Sequence, residues 1–193
     1  DLDLEIIKRA KVLYLEGYLW DNPSAKNAFI AAAKIAKENR KTVALSLSDS
    51  FCVNRHRESF ISLINNHVDI LFANESEIKS LYKTSNLDIA LDKVKDRCQI
   101  SAITLGAKGS ILLTKQNSIS IKPYTLGPLV DTTGAGDIYA GGFLKGFTQG
   151  LDIFECGQIG SVCAGHIVTQ LGPRTQESLI TIVDEFLKLN NIN

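Results

Sequence analysis

At 193 residues, with 45% hydrophobic and 22% charged side chains, the chain has the size and balance of one water-soluble domain with a sizeable core. The 21 basic and 21 acidic residues cancel and form no basic stripe, which argues against a nucleic-acid partner. No apolar run reaches membrane-spanning length and no signal peptide opens the text, so a membrane-free, cytoplasmic setting is expected.

In chain order, Asp1 to Ile7 reads as helix, and Ala10 to Leu19 as a buried strand by its apolar and aromatic run. Trp20 to Ser24 carries turn chemistry, and Ala25 to Asn39 has strong helix formers at helical spacing. Thr42 to Ser48 is a second strand, Asp49 to Val53 a loop, and Arg55 to Asn65 a helix. Asp69 to Ala73 is a third strand, followed by helices over Asn74 to Tyr82 and Leu87 to Arg97, and by a fourth strand over Ile100 to Leu105. Strands alternating with helices imply right-handed crossovers and an α/β, doubly wound, mainly parallel sheet with helices on both faces. Ligands of such a sheet bind beyond the carboxyl ends of its strands, where Asp49, Asn74 and Gly106 fall.

After Gly106 the texture changes. Ser110 to Thr114 and Ser118 to Pro123 read as short antiparallel strands. Ala135 to Thr148, Leu151 to Gln170 and Gln176 to Asn190 read as helices. No repeat, low-complexity segment or linker appears, so residues 1–193 are expected to form a single domain. Cys52, Cys98, Cys156 and Cys163 show no Cys-x-x-Cys pairing, which suits a reducing setting. Cys156 and Cys163, seven apart, should share one buried helix face. His56, His67 and His166 are scattered, and no metal-ligand spacing is apparent. The sequence contains no methionine and begins in mid-pattern, so a longer parent chain is expected.

One stretch concentrates chemistry: Asp131-Thr132-Thr133-Gly134-Ala135-Gly136-Asp137, running into an apolar helix. Its plain reading is a helix start, with a Thr cap, turn glycines and an early acid that suits the dipole. Its sharper reading is a phosphate cradle. The glycines let the backbone approach a ligand, the amides of Gly134, Ala135 and Gly136 point outward, and the helix end adds roughly half a positive charge. Asp137 at that end is available as a proton acceptor. No Gly-Lys-Ser/Thr follows, so this is not a Walker-type loop.

The stretch resembles the second signature of the PfkB, or ribokinase-like, family of sugar and nucleoside kinases. Two further motifs occur in the family's order. Asn74-Glu75-Ser76-Glu77 is a capping box by pattern and also resembles the family's Asn-x-x-Glu motif, with Glu75 as a nearby alternative that falls off the motif. Thr104-Leu105-Gly106-Ala107-Lys108-Gly109 is a hairpin connection by pattern, with Gly109 at positive φ. It also resembles the family's Thr-x-Gly-x-x-Gly stretch.

The resemblance covers essentially the whole chain as the family's C-terminal, nucleotide-binding part, without its N-terminal portion and lid. It implies ATP-dependent phosphoryl transfer to a hydroxymethyl group, with Asp137 as base. It further implies that Glu77 holds Mg²⁺ through water, and that Asn74, Thr104, Gly106, Gly109 and Ser161 line the nucleotide site. Lys108 is a further candidate for phosphate, with an ordinary solvated lysine as the favoured reading. Ser161 stands where several relatives carry an Asn near adenine. Asp131 and Thr133 match positions that bind a monovalent cation such as K⁺, with ordinary turn bonding as the other reading. Ser46 to Phe51 resembles the adenosine-kinase branch. The partners implied are a sugar or nucleoside, and a homodimer formed through the lid region. A hydroxymethylpyrimidine or pyridoxal kinase on the same fold, or a nucleotide-binding module without catalysis, remain the alternatives.

Overall fold

The computed structural model describes residues 2–190. The chain packs as two compact units, the first running to Ile103 with Leu113–Ser118, the second comprising Thr104–Leu112 and the chain from Ile119 onward.

The first unit opens with helix α1 (Leu4–Arg9), whose N-terminus is capped by Asp3 through the amides of Glu5 and Ile6. Asp1, expected to begin this helix, lies outside the described residues. There follow β1 (Val12–Glu16), α2 (Pro23–Glu38), β2 (Thr42–Ser46), α3 (Ser50–His67), β3 (Ile70–Asn74), α4 (Glu75–Leu81), α5 (Leu87–Val94) and β4 (Ile100–Thr104). These strands neighbour one another in chain order. β1 and β2 pair in parallel with Val12 opposite Thr42, and β2 and β3 with Ala44 opposite Ile70. Val43, Ala44, Leu45 and Leu71 are fully buried and Ile70 nearly so, as strands covered on both faces require. The buried Asp69 carboxylate ties the sheet's entry edge together. It accepts from the Val43 amide at 2.9 Å and from Gln99 Nε2 at 3.2 Å, and pairs with Lys37.

Several boundaries differ from the sequence reading by a few residues, and two of the differences matter for packing. β1 ends at Glu16, three residues early, because the chain coils into a 3₁₀ helix over Gly17–Asp21. Gly17 lies so close to β2's exit that a Cβ would stand 2.6 Å from the Ser46 and Leu47 carbonyl oxygens. The coil drives Trp20, read as a turn residue, into the core, stacked on Phe60 at 5.2 Å. The expected loop over Asp49 to Val53 is instead the start of α3. Asp49 accepts the amides of Phe51 and Cys52, and Cys52 and Val53 are buried.

The second unit holds most of β5 (Ser110–Leu113) and β6 (Ser118–Ile121), which are hydrogen-bonded neighbours, with helices α6 (Ala135–Gln149), α7 (Ile153–Ile167) and α8 (Leu179–Leu189). Ile159, Cys163 and Val183 form its buried centre, with Ile138, Leu151, Leu179 and Leu187 packed around them. α6 and α7 meet almost backbone to backbone. A Cβ on Gly142 would stand 2.9 Å from Cys163 Sγ, and one on Gly160 would stand 2.9 Å from the Tyr139 carbonyl oxygen. Cys156 and Cys163 do share the buried face, their sulfurs turned toward Gly146 and Gly142 respectively. Among the described residues, no helix is long and apolar enough to cross a membrane.

Candidate active site

In the second unit, the Asp131–Asp137 turn is built by its first carboxylate. Asp131 Oδ1 accepts from the Thr133 amide at 2.9 Å and from the Thr133 hydroxyl at 2.7 Å, while Oδ2 accepts from the Gly172 amide at 2.9 Å. These bonds, the Thr133 amide first, hold the Asp131 pKa below the usual carboxylate range. They join the turn to the loop that follows α7.

Gly134 then caps α6 in the left-handed conformation, φ 77°, and a Cβ there would stand 2.6 Å from Pro173 Cβ. Both conformation and space therefore demand glycine. The expected Thr cap is absent, since no side chain caps α6. The expected trio of outward amides also changes. Ala135 N–H donates to the Thr132 carbonyl at 3.1 Å, closing the turn. Among the described residues the amides of Gly134, Gly136 and Asp137 have no partner. Gly136 is helical and exposed, and a Cβ on it would meet nothing within 4 Å. The chain's own packing gives no reason for glycine at this position. Asp137 is exposed in the first turn, and its carboxylate makes no hydrogen bond among the described residues. The free amides, the open glycine and the unengaged carboxylate together form a mouth suited to an anionic ligand and a proton donor.

Other expected site residues of this unit fall into two groups. Gly106, φ 60°, opens a short 3₁₀ turn with open space around it, and Thr104 is half-buried at the end of β4. Lys108 is exposed. Gly109, φ 88°, has a reason within the fold, because a Cβ there would lie 2.1 Å from the Ile121 carbonyl oxygen. Ser161 is 7% exposed, donates to the Lys122 carbonyl at 2.8 Å and accepts from the Tyr124 amide at 3.0 Å. It lies on a cleft of about 320 Å³ with Tyr124, Phe154, Gln158 and Phe186. Sequence reasoning missed the last four. The spacing Phe154, Gln158, Ser161 along α7 was the available signal, since steps of four and three share one helix face.

In the first unit, the Asn74/Glu77 capping box is complete. Asn74 Oδ1 accepts from the Glu77 amide at 2.9 Å. Glu77 Oε2 accepts from the Asn74 amide at 2.9 Å and Oε1 from Asn74 Nδ2 at 2.6 Å. Glu77 is 5% exposed and held by both oxygens, whereas Glu75 pairs with Lys79. A carboxylate held this way keeps spare lone pairs for a metal-bound water.

Known proteins share this chain's fold and part of its sequence. The crystal structure of adenosine kinase from Sinorhizobium meliloti matches with a TM-score of 0.93 at 42% identity, over 96% of this chain and 57% of that one. Adenosine kinase of Saccharomyces cerevisiae is 26% identical over 186 residues, 90% of this chain and 54% of its own. An Escherichia coli protein described as a ribokinase II, solved with ATP and Mg²⁺, shares the fold with a TM-score of 0.85 at 21% identity, over 97% of this chain and 62% of that one. The chain thus spans a little over half the length of these relatives. The family model for pfkB family carbohydrate kinases matches residues 1–179, and the chain belongs to that family.

Proposed function

We propose that this chain carries the nucleotide-binding and proton-accepting part of an ATP-dependent kinase that phosphorylates a hydroxymethyl group, with a nucleoside as the favoured acceptor. The observation that carries the reading is the unengaged Asp137 carboxylate beside unpartnered amides and an unneeded glycine at the mouth of α6. Similarity to adenosine kinases supports the nucleoside acceptor. The Mg²⁺ and ATP bound by the E. coli relative support those cofactors here.

In this reading the amides of Gly134 and Gly136 neutralise charge on the transferring phosphoryl group, with the α6 dipole behind them. Asp137 receives the acceptor's hydroxyl proton. An alcohol is a much weaker acid than a carboxyl group, so that proton moves late, once a loose transition state has formed. Positioning supplies most of the acceleration. Gly106 gives the nucleotide a backbone surface without a Cβ, and the cleft at Ser161 takes the base. Ser161 there acts through the main chain, because its hydroxyl is committed to Lys122 and Tyr124.

Glu77, oriented by Asn74, would hold Mg²⁺ through water, and that ion would supply charge neutralisation. Asp131 and Thr133 would hold a monovalent cation, K⁺, with lone pairs left over from the turn's own bonds. A cytoplasmic setting fits the four buried free thiols.

The test is an ADP-release assay on the full-length protein with adenosine, other nucleosides, ribose, fructose, hydroxymethylpyrimidine and pyridoxal. Turnover with a nucleoside exceeding the others by at least about tenfold is expected. Preference for the pyrimidine or pyridoxal would move the protein to another branch. Nucleotide binding without turnover on any acceptor would reduce the chain to a binding module.

A further inference from the structure

A second cluster of chemically active side chains lies in the first unit and takes no part in the function proposed above. Among the described residues, ligand atoms of Asp21, Cys52 and His56 all lie within 4.8 Å of one another. Cys52 and His56 stand one turn apart on α3, and Asp21 closes the preceding 3₁₀ helix. His56 Nε2 is 2.7 Å from Asp21 Oδ1, and the Cys52 thiol donates to the Gly17 carbonyl at 3.4 Å.

The backbone bends to make this arrangement. α3 leaves helical geometry at His56, φ −121° and ψ 22°, without a proline or glycine inside it to account for the kink. The departure falls at the residue whose ring meets Asp21. Arg55 grips the same carboxylate, with Nε 3.1 Å from Oδ1 and Nη2 on Oδ2. That guanidinium, and then His56, keep Asp21 well below the usual carboxylate range.

We propose that Cys52, His56 and Asp21 form a three-ligand site for a zinc-class transition metal. One thiolate, one neutral imidazole and one carboxylate are the donor types such an ion takes. Their two negative charges cancel a divalent cation. Bond lengths of about 2.0–2.3 Å set tetrahedral donors roughly 3.3–3.7 Å apart, so the cluster needs only small rotamer adjustments. Asp21 Oδ1 turns to the metal while Oδ2 stays on Arg55, the outer partner that ligating carboxylates require. On binding, the Cys52 S–H bond breaks, its proton leaves to solvent and the sulfur electron pair goes to the metal. The thiolate thus forms as the metal displaces the proton, which makes binding pH-dependent. Mg²⁺, which prefers all-oxygen octahedral sites, does not compete. The fourth position is left for water.

The probe is Co²⁺ alone, added to the full-length protein in excess Mg²⁺. The expected result is a thiolate-to-cobalt charge-transfer band in the near ultraviolet that saturates at one equivalent, releases about one proton and is bleached by Zn²⁺. Cys98→Ser keeps the band, Cys52→Ser loses it, and His56→Gln binds cobalt at least about tenfold more weakly. Circular dichroism checks that each variant folds. His56→Gln alters a partly exposed side chain and carries the test if Cys52→Ser does not fold. Absence of the band in the folded wild-type protein, or its survival unchanged in either ligand variant, would overturn the proposal. The cluster would then be an Arg–Asp–His ion pair that fastens α3 to the 3₁₀ helix.

Discussion

Gly136 and Gly134 are two residues apart and glycine for opposite reasons. Gly134 is fixed by its own fold, through φ 77° and the nearby Pro173. Gly136 is helical and faces open space, so alanine there should raise stability by up to about 1 kcal/mol through helix propensity. If a phosphate chain lies against it, the same methyl group blocks the ligand. Gly136→Ala is therefore expected to melt no lower than wild type while kcat/KM for the nucleotide falls at least about tenfold, as read by thermal denaturation and steady-state kinetics. Asp131 makes a prediction in pH. Its folded pKa is depressed, so its contribution is present above the ordinary carboxylate pKa and is lost as pH falls through the folded value. Asp131→Asn should lower the melting temperature near neutrality and converge on wild type in acid, which flattens the acid limb of a melting-temperature profile.

The α6–α7 contact is where packing leaves least room. A methyl group on Gly142 would stand 2.9 Å from Cys163 Sγ and 3.0 Å from the Ile159 carbonyl oxygen. Gly142→Ala should cost about 1–3 kcal/mol in urea unfolding, and Cys163→Ala should recover part of it by vacating the sulfur's volume. Loss below about 0.5 kcal/mol would mean that the helices slide apart freely. Elements of this kind were legible in the sequence because apolar runs and helical spacing report burial directly. All six strands and the three C-terminal helices fall where that spacing puts them, with ends displaced by a few residues. The misplaced ends have local causes. Gly17 turned the close of β1 into a coil, and Asp49, read as part of a loop, is the cap that starts α3.

Across the whole molecule, what could be read from sequence depended on distance along the chain. The Asp131–Asp137 turn is contiguous, so its glycine-and-acid pattern could be read before any coordinates. The Cys52–His56–Asp21 cluster was not, because Asp21 lies 35 positions before His56 and meets it only once α3 packs on the 3₁₀ helix. Gln158 and Tyr124 escaped notice for the same reason, since their cleft exists only when β6's exit lies along α7. The Ala135 amide was miscounted because sequence does not reveal which turn carbonyl it meets. The account rests most heavily on Asp137, and the decisive measurement is the turnover of full-length Asp137→Asn with its preferred acceptor, alongside nucleotide affinity by calorimetry. The account predicts a fall in kcat of at least ~10²-fold with nucleotide affinity within about threefold of wild type. Wild-type kcat in a folded Asp137→Asn protein would contradict it.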